Sequence, residues 1–585
     1  MADIETFDLV VVGAGIHGLA VTKTYRDVHP QASILVLDKS RYIGGGFART
    51  TTFAPLRYMR HPYALGARLT RAQFSDLPMD TEGFNLADDH IPGEHVNKYI
   101  HKYVDTFDLE KHIRLNTAVK SAVDQGPTGW MLTVSQHADS TETEYKIAAS
   151  RLVVATGLTS EPWMPKLPGD ETFGAPIYHS SEFARAEGGL GPYKKITLLS
   201  GAKFSWDIAH AYASAGVQVD WIIRESGHGP CWMMPNRLTP LKIIPEMLIQ
   251  TRLLTWLTPC IFDDGFAYIR SFFYQHWLGK KIADAFFAKV QHKIEEDNGY
   301  DTHPETAKLR PWDDVFFIGT NRGLLNYKSD FFELVRSGKI RVHVADISHL
   351  SPHAVHLSTG DIIQSDVLIC GTGWKDTPQL NFETNKDLGL PGHHPNRNTQ
   401  DHVRQADAQI FTAFPKLQDQ PVPRNPTVEK TKDVPAEPYR LYRFMVPPAF
   451  LDTRTLAFAG TYRSPATTII SQAQALWITA FLDNRISALQ DHKNNNTPSE
   501  RAMYETVLHT QFVKWRYSRG FGARFPEMFF DCLPYVDMLL KDVGVKNQRK
   551  GNWFAERFTA YMPGDYRGIV DEYMALEGTA RKAVL

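Results

Sequence analysis

The chain has 585 residues, of which 43 % are hydrophobic and 22 % are charged, values typical of a globular protein with more than one domain. The formal net charge of −1 provides no positive surplus for binding nucleic acid. The four cysteines are far apart and form no metal-ligand pattern, and no apolar run reaches the roughly 18 residues of a membrane span, so we expect a cytoplasmic protein without a metal site.

The first predicted strand spans residues 7–13, FDLVVVG, an apolar run typical of a parallel strand buried on both faces. Gly13-Ala14-Gly15-Ile16-His17-Gly18 follows directly and leads into a predicted helix. In a Rossmann-type module, these glycines permit a tight turn, allow a pyrophosphate to approach and let the helix pack on the strand. Asp38 ends the next apolar strand, where a carboxylate bonds the ribose hydroxyls. The segment therefore predicts a dinucleotide site.

A glycine cluster, Ile43-Gly44-Gly45-Gly46-Phe47, follows Asp38 closely. Glycine-rich backbone can lie flat against a large planar cofactor, and a flexible loop is the other explanation. Because the cluster comes soon after the dinucleotide pattern, we expect it to contact the cofactor.

A second strand, turn and helix pattern begins at residues 194–200, KKITLLS, and continues with Gly201-Ala202-Lys203-Phe204-Ser205-Trp206-Asp207. Only the first glycine of the fingerprint is present. The following strand, VQVDWII, leads to Arg224, and a guanidinium at this place suits the 2′-phosphate of NADPH. Lys203 could add a second positive charge. An ordinary solvated arginine is the alternative interpretation of Arg224.

Two further strands end in glycine turns, LVVATG at 152–157 and DVLICGTGW at 366–374. We interpret them as crossings between two interleaved nucleotide modules. The predicted parts are a first FAD-binding segment at 1–165, an NADPH-binding domain at 166–345 with a helical insertion at about 236–300, a second FAD-binding segment at 346–483 with a polar surface loop at 388–437, and a helical C-terminal region at 484–585. The aromatic helices of the insertion either pack in a core or form a wall over an apolar substrate.

Together the patterns resemble the flavin-containing monooxygenases and Baeyer-Villiger monooxygenases, and in particular the branch found in fungal natural-product pathways. The resemblance covers residues 7–480, and GGGF at 44–47 stands where the family has GGxW. The other motifs, in order, are GAGIHG at 13–18, FSDLPM at 74–79, IPGEHVNKYI at 91–100, VVATG at 153–157, ICGTGWK at 369–375, LYRFMVPP at 441–448, LAFAG at 456–460 and QALW at 474–477.

The chain departs from the family at its linker motif, FxGxxxHxxxW. His179 and Phe173 stand at the matching positions, but Ala175 replaces the glycine and Phe183 replaces the tryptophan. His179 is therefore a candidate interdomain residue, and an ordinary loop histidine is the alternative.

Two family positions concern the chemistry more directly. In flavin-containing monooxygenases an asparagine eight residues before the FSDLP phenylalanine helps to hold the flavin hydroperoxide, and Gly66 occupies that position. The Lys-Arg-Pro arginine of Baeyer-Villiger enzymes has a loose counterpart in Lys308-Leu309-Arg310-Pro311. Arg310 is thus a candidate catalytic residue, and a charged turn before proline is the alternative.

The resemblance implies an α/β fold of two interleaved Rossmann-type domains with FAD, NADPH and O₂. The implied reaction oxygenates an apolar small molecule, a secondary-metabolite intermediate, through a flavin hydroperoxide. A flavin-dependent oxidase or cyclase and a noncatalytic flavoprotein are the alternatives. The catalytic candidates are Arg310 and His179. The expected cofactor contacts are Gly13, Gly15, Gly18, Asp38, Gly45, Phe47, Val119, Gly157, Gly201, Lys203, Ser205, Arg224, Gly373 and Gly460.

Overall fold

The computed structural model of the chain describes residues 4–46, 73–80, 91, 93–138, 141–182, 190–235, 237, 244–319, 322–327, 329–375, 377–391, 397–421, 438–490, 498–517 and 521–584. The strands in these ranges are β1 (Glu5–Val12), β2 (Ile34–Leu37), β3 (Ile113–Arg114), β4 (Thr117–Asp124), β5 (Trp130–Ala138), β6 (Thr141–Val154), β7 (Ile177–His179), β8 (Lys195–Leu199), β9 (Gln218–Ile223), β10 (Trp232–Met234), β11 (Arg322–Leu324), β12 (Ile340–Val344), β13 (Ile347–Ser351), β14 (Ala354–Leu357), β15 (Ile362–Gln364), β16 (Val367–Cys370), β17 (Asn381–Glu383) and β18 (Leu456–Phe458).

The α-helices in the same ranges are α1 (Ile16–Val28), α2 (Gly93–Thr106), α3 (Lys203–Ser214), α4 (Pro245–Leu248), α5 (Arg252–Leu257), α6 (Ala267–Gln275), α7 (Trp277–Asn298), α8 (Pro304–Ala307), α9 (Phe331–Arg336), α10 (Arg397–Ala413), α11 (Thr467–Leu482), α12 (Ser487–Gln490), α13 (Pro498–Arg516), α14 (Phe521–Arg524), α15 (Cys532–Asp542), α16 (Trp553–Phe558) and α17 (Ile569–Val584). None of the helices in the described ranges combines the length and the apolar character that crossing a membrane requires.

The first sheet has eight strands in the order β17-β4-β5-β6-β1-β2-β3, and β18 also pairs with β6. Strand β1 lies parallel to β2 and to β6, and β18 lies parallel to β6. Leu9–Val12 of β1 are buried, which explains why this strand is a continuous apolar run rather than an alternating one. The carboxyl ends of β1, β6 and β18 therefore lie together at one edge of the sheet.

The second sheet has five parallel strands in the order β12-β9-β8-β16-β7. The chain passes from β6 of the first sheet to β7 of the second, and returns to the first sheet at β17. The two modules are therefore interleaved, as predicted. The predicted boundary at residue 345 is too early, because β16 pairs with β8 and places Val367 opposite Ile196. A short buried apolar strand has the same residue pattern in either sheet. The pattern of β16 therefore could not predict to which of the two sheets this strand belongs.

Helices α4 to α7 form the predicted insertion, and α12 to α17 form the helical C-terminal region. The two parts share buried aromatic contacts: the ring of Phe287 in α7 lies 6.2 Å from that of Phe530, and Phe262 lies 6.0 Å from Phe512 in α13. Both rings of the insertion are at least 96 % buried. Packing between the two helical parts therefore accounts for these aromatic residues.

The segment at 388–437, predicted as a polar loop, contains helix α10 and a 3-10 helix at Pro415–Asp419. Ala406, Ile410 and Phe414 are buried at helical spacing and belong to the large apolar core, and α10 packs along α13. Three apolar residues on one face suffice to bury a helix whose other positions are polar. The prediction of a loop was therefore wrong for this part, while 392–396 and 422–437 lie outside the described residues.

Candidate functional site

The turn between β1 and α1 requires glycine at two positions. Gly13 has a φ of +115°, and a Cβ atom there would lie 2.5 Å from the carbonyl oxygen of Ala155. A Cβ atom on Gly18 would lie 1.8 Å from the carbonyl oxygen of Gly13. Neither distance leaves room for a side chain. These two glycines therefore bring β1, α1 and the end of β6 into close contact.

Gly15 and Gly45 instead lie against each other, with a Cβ built on Gly45 3.3 Å from the Cα of Gly15. Gly15 is the N-cap residue of α1, and the nearest atom to a Cβ built on it is the Cα of Gly45, at 3.8 Å. Gly45 has a φ of +59°. The first N–H groups of a helix lack intrahelical acceptors, and the helix dipole favours an anion there. The two glycine backbones beside the N-terminus of α1, which we call the glycine cradle, thus place no side chain next to the helix N–H groups, as the pyrophosphate of a dinucleotide requires.

Asp38 lies beside the glycine cradle, directly after β2. Its Oδ2 accepts a hydrogen bond from the N–H of Ala14 at 2.7 Å, and its Oδ1 accepts one from the N–H of Ser40 at 2.8 Å. The carboxylate therefore ties the glycine turn to β2. It also occupies the place where the acid of a Rossmann module bonds the ribose.

We expect Asp38→Ala to weaken FAD binding by about 1.5 to 3 kcal/mol, the range for hydrogen bonds to a charged group, or about 10- to 150-fold. Titration of the apoprotein with FAD, followed by flavin fluorescence, measures the affinity. Asp38→Asn keeps an acceptor for the Ala14 N–H and serves as the control for the turn itself. An unchanged affinity in Asp38→Ala would place the ribose contact elsewhere.

His17, inside the glycine turn, contacts the turn that follows β18. Its Nε2 lies 2.9 Å from the hydroxyl of Tyr462, and a Cβ atom on Gly460 would lie 2.6 Å from its Nδ1. Burial lowers the pKa of His17 to about 4, so the ring is neutral at neutral pH. Gly460 thus lies against the glycine turn. Sequence reasoning missed the pairing of His17 with Tyr462, because no local pattern links residues so far apart.

The two crossings between the modules carry glycines in open positions. Gly157 has a φ of +65° and Gly373 a φ of +94°, and no atom lies within 4 Å of a Cβ built on either. The carbonyl oxygen of Gly373 accepts from the N–H of Trp163 at 3.0 Å and lies 2.8 Å from His179 Nε2. His179 is buried, and desolvation lowers its pKa. It therefore contacts the second crossing at Gly373, and its catalytic role stays a prediction.

The turn after β8 is closely packed. A Cβ atom on Gly201 would lie 2.2 Å from the carbonyl oxygen of Gly229, and the N–H of Cys231 donates to the carbonyl oxygen of Gly201 at 2.8 Å. Gly201 is therefore packed against protein backbone much more closely than Gly15.

Lys203, the first residue of α3, is held inside the module. Its Nζ pairs with the carboxylate of Asp207, one turn along the helix, and lies 3.0 Å from the hydroxyl of Tyr327. The positive charge is thus compensated by a neighbour. Sequence reasoning missed the role of Asp207, although the spacing of four between an acid and a lysine on a helix was the available signal.

Arg224 and Ser205 lie near the carboxyl edge of the second sheet. Arg224 follows β9, and its side chain is exposed. Ser205 is buried in the first turn of α3, and its Oγ has no hydrogen-bond partner in the described part of the chain. A Cβ atom on Gly371 would lie 2.9 Å from that Oγ, so the hydroxyl faces the end of β16. This edge of the second sheet therefore carries the exposed guanidinium of Arg224 and the Ser205 hydroxyl, which has no hydrogen-bond partner in the described part of the chain.

Arg310 lies at the end of the insertion. Its guanidinium pairs with Asp301, and its Nε lies 3.8 Å from Glu295 Oε2. The two acids compensate its charge, and a catalytic role for Arg310 stays a prediction. Val119 is buried in β4, at an irregularity in the pairing with β5. Its contact with the cofactor also stays a prediction.

Three positions on which the sequence-based expectations depend are not among the described residues. They are Phe47, Gly66 and Phe183. What the sequence predicts for these three residues therefore stays a prediction: the cofactor contact of Phe47, Gly66 in place of the asparagine, and Phe183 in place of the tryptophan.

Known proteins match this chain over most of its length. The family model "Flavin-binding monooxygenase-like" matches residues 8–291. The FAD-dependent monooxygenase rstn6 of Aspergillus nomiae is 31 % identical over 98 % of this chain and 99 % of its own length. The FAD-dependent monooxygenase resA of Aspergillus sclerotiorum is 30 % identical over 97 % of this chain and 98 % of its own.

Solved structures share the fold at low identity. A polycyclic ketone monooxygenase from Thermothelomyces thermophila aligns with a TM-score of 0.57 at 12 % identity, covering 92 % of this chain and 88 % of its own. An oxidized steroid monooxygenase bound to NADP aligns with a TM-score of 0.56 at 16 % identity, covering 93 % and 99 %. These neighbours confirm the predicted fold, and the relatives confirm the predicted flavin-dependent oxidoreductase. The chain belongs to the flavin-binding monooxygenase-like family.

Proposed function

We propose that this monooxygenase uses FAD and NADPH to oxygenate an apolar small molecule, an intermediate of secondary metabolism. The glycine cradle carries the proposal, because Gly15 and Gly45 bring backbone without side chains to a helix N-terminus, where a pyrophosphate would approach, and Asp38 lies where the ribose is bonded. Two fungal relatives named FAD-dependent monooxygenases support FAD and the metabolic setting. The steroid monooxygenase that shares the fold was solved bound to NADP, which supports NADPH as the coenzyme.

When bound, FAD supplies the redox chemistry by which electrons from NADPH activate O₂. The residues of the chain bind and orient the cofactor. The N-terminus of α1 favours the negative charge of the pyrophosphate at Gly15, and Asp38 accepts hydrogen bonds from the ribose. His17 and Tyr462 hold the turn after β18 against the glycine turn, which keeps this wall of the site in place.

Mass spectrometry of products formed under ¹⁸O₂ tests the proposal. We expect an apolar pathway intermediate to stimulate NADPH consumption and to gain one labelled oxygen atom. Hydrogen peroxide produced in step with the loss of two hydrogen atoms from the substrate, without NADPH consumption and without a labelled product, would identify an oxidase instead. A protein that retains FAD and consumes no NADPH under any of these conditions would contradict the proposal outright.

Arg224 is proposed as the residue that selects NADPH. Its exposed side chain follows β9, the position equivalent to that of Asp38 after β2. The ion pair of Lys203 with Asp207 supports a smaller share for the Lys203 ammonium, because its charge already has an acidic neighbour. The two N–H donors of a guanidinium match the oxygens of a 2′-phosphate, so the preference for NADPH over NADH should depend on Arg224.

We expect Arg224→Ala to raise KM for NADPH and to leave NADH nearly unaffected, since NADH lacks the 2′-phosphate. A charge-assisted bond of about 1.5 to 3 kcal/mol corresponds to about a 10- to 150-fold loss of preference. Steady-state kinetics with both coenzymes measure it. Lys203→Met is the matched control and should shift the preference much less. Equal losses with both coenzymes in Arg224→Ala would make the residue structural.

A cytoplasmic location is also part of the proposal. The four cysteines, Cys231, Cys260, Cys370 and Cys532, are free and buried. Burial raises the pKa of Cys231 to about 12, so its thiol is not reactive at neutral pH. Free thiols are typical of a reducing compartment.

A further inference from the structure

The turn that follows β18 lies at the carboxyl edge of the first sheet, beside the glycine turn of β1. Strand β18 is parallel to β6, so both end at this edge. The turn contacts His17 through Gly460 and Tyr462. Arg463 is the next residue of the chain. It therefore lies on the edge that carries the glycine cradle.

The C-terminal region holds Arg463 from both sides. Its N–H donates to the carbonyl oxygen of Pro526 at 2.8 Å, and its carbonyl oxygen accepts from the N–H of Met528 at 2.8 Å. The guanidinium lies over the ring of Phe525, 4.0 Å from the centroid. A cation is attracted to the face of an aromatic ring, so this contact fixes the direction of the side chain. The position of the guanidinium therefore depends on the C-terminal region.

The charge of Arg463 has no acidic partner among the described residues, and its buried Nε has no hydrogen-bond acceptor there. Glu527 lies opposite it in the backbone pairing, but the carboxylate of Glu527 turns towards Gly319, with Oε2 2.9 Å from a Cβ built on that glycine. Three other buried arginines each pair with an acid, whereas the buried Arg516 donates to the carbonyl oxygen of Phe316. These pairs are Arg252 with Asp537, Arg270 with Asp264, and Arg443 with Asp542.

We propose that Arg463 supplies the positive charge of the active site and faces the flavin ring. Uptake of two electrons and one proton leaves the ring with a negative charge, and a fixed cation in a partly buried site stabilises that charge. An uncompensated cation in such a place costs free energy unless a ligand offsets it. The proposal rests on the proposed function, since it needs FAD at this edge of the first sheet.

Arg463 thereby takes the part that the family resemblance assigns to Arg310. Arg310 is paired with Asp301 and lies near Glu295, so the field of its charge is largely cancelled. Arg463 lies one residue from Tyr462, whose hydroxyl contacts the glycine turn. Of the two arginines, only Arg463 has a charge without an acidic partner among the described residues and also lies at the carboxyl edge of the first sheet, where FAD is proposed to bind.

The test measures the reduction potential of FAD in the holoenzyme. We expect Arg463→Met to lower the potential by about 30 mV or more, which for a two-electron couple equals about a tenfold loss of preference for the reduced flavin. Arg463→Lys keeps the charge and should restore part of the shift. Arg310→Met is the matched control and should keep the wild-type potential.

An unchanged potential in Arg463→Met at full FAD content would overturn the proposal, and so would an equal shift in Arg310→Met. If Arg463→Met fails to hold FAD, Phe525→Leu decides the matter, because it keeps both backbone hydrogen bonds and removes only the ring that directs the guanidinium. A lowered potential in Phe525→Leu supports the proposal, and a wild-type potential overturns it. Wild-type protein that binds no FAD would refute the proposed function instead, so the two failures differ.

Discussion

Gly15→Val is expected to abolish FAD binding in a protein that still folds. The φ of Gly15 is −85°, which valine adopts, and the nearest atom to its Cβ would be the Cα of Gly45 at 3.8 Å. The side chain would fill the space of the pyrophosphate and remove at least two hydrogen bonds to charged oxygens, which predicts about 100-fold weaker binding or more. The visible absorbance of bound flavin measures the content, and far-UV circular dichroism reports the fold.

Gly18→Ala is the matched control for Gly15→Val. A Cβ atom on Gly18 would lie 1.8 Å from the carbonyl oxygen of Gly13, so even alanine forces β1 and α1 apart. We expect this variant to lose stability as well as flavin. Normal flavin content in Gly15→Val would refute the position of the cradle, and normal stability in Gly18→Ala would refute the close approach of helix and strand.

Arg252→Met is expected to destabilise the protein by about 3 to 5 kcal/mol, the cost of breaking a buried ion pair from one side. Arg252 in α5 is fully buried and pairs with Asp537 in α15 and with Glu556 in α16. It therefore joins the insertion to the C-terminal region. Burial raises the pKa of Asp537 to about 7 even beside Arg252, so without Arg252 this carboxyl would protonate or leave the core.

Urea denaturation followed by tryptophan fluorescence measures the loss in Arg252→Met. The control is Arg114→Met, which removes an ion pair with Glu5 at 2.9 Å whose side chains are 27 % and 46 % exposed. An exposed pair of this kind contributes about 0.2 to 1 kcal/mol. Equal losses of stability in the two variants would show that the buried network contributes no more than a surface pair.

The second module shows what a sequence pattern can predict and what it cannot. The spacing of strand, glycine turn and helix predicted its βαβ unit, and β8, α3 and β9 form that unit. The pattern also makes Lys203 a candidate phosphate ligand, which stays a prediction, and the structure adds that Lys203 pairs with Asp207 within the same helix. A residue type in a motif position indicates which chemistry is available. Its neighbours in the fold decide whether its charge is free to act.

Residues close together in the chain were enough to predict the two nucleotide modules, the glycine turn and Asp38, because strand, turn and helix signals are local. The place of β16 in the second sheet, the ion pairs of Arg310 and the lack of an acidic partner for Arg463 among the described residues are visible only in the folded chain. Strand β16 pairs with a strand far away in the chain, and Arg463 is surrounded by the helical C-terminal region, so no local pattern reports either fact. The acids near Arg310 are close in sequence, but the fold sets the direction in which its side chain points.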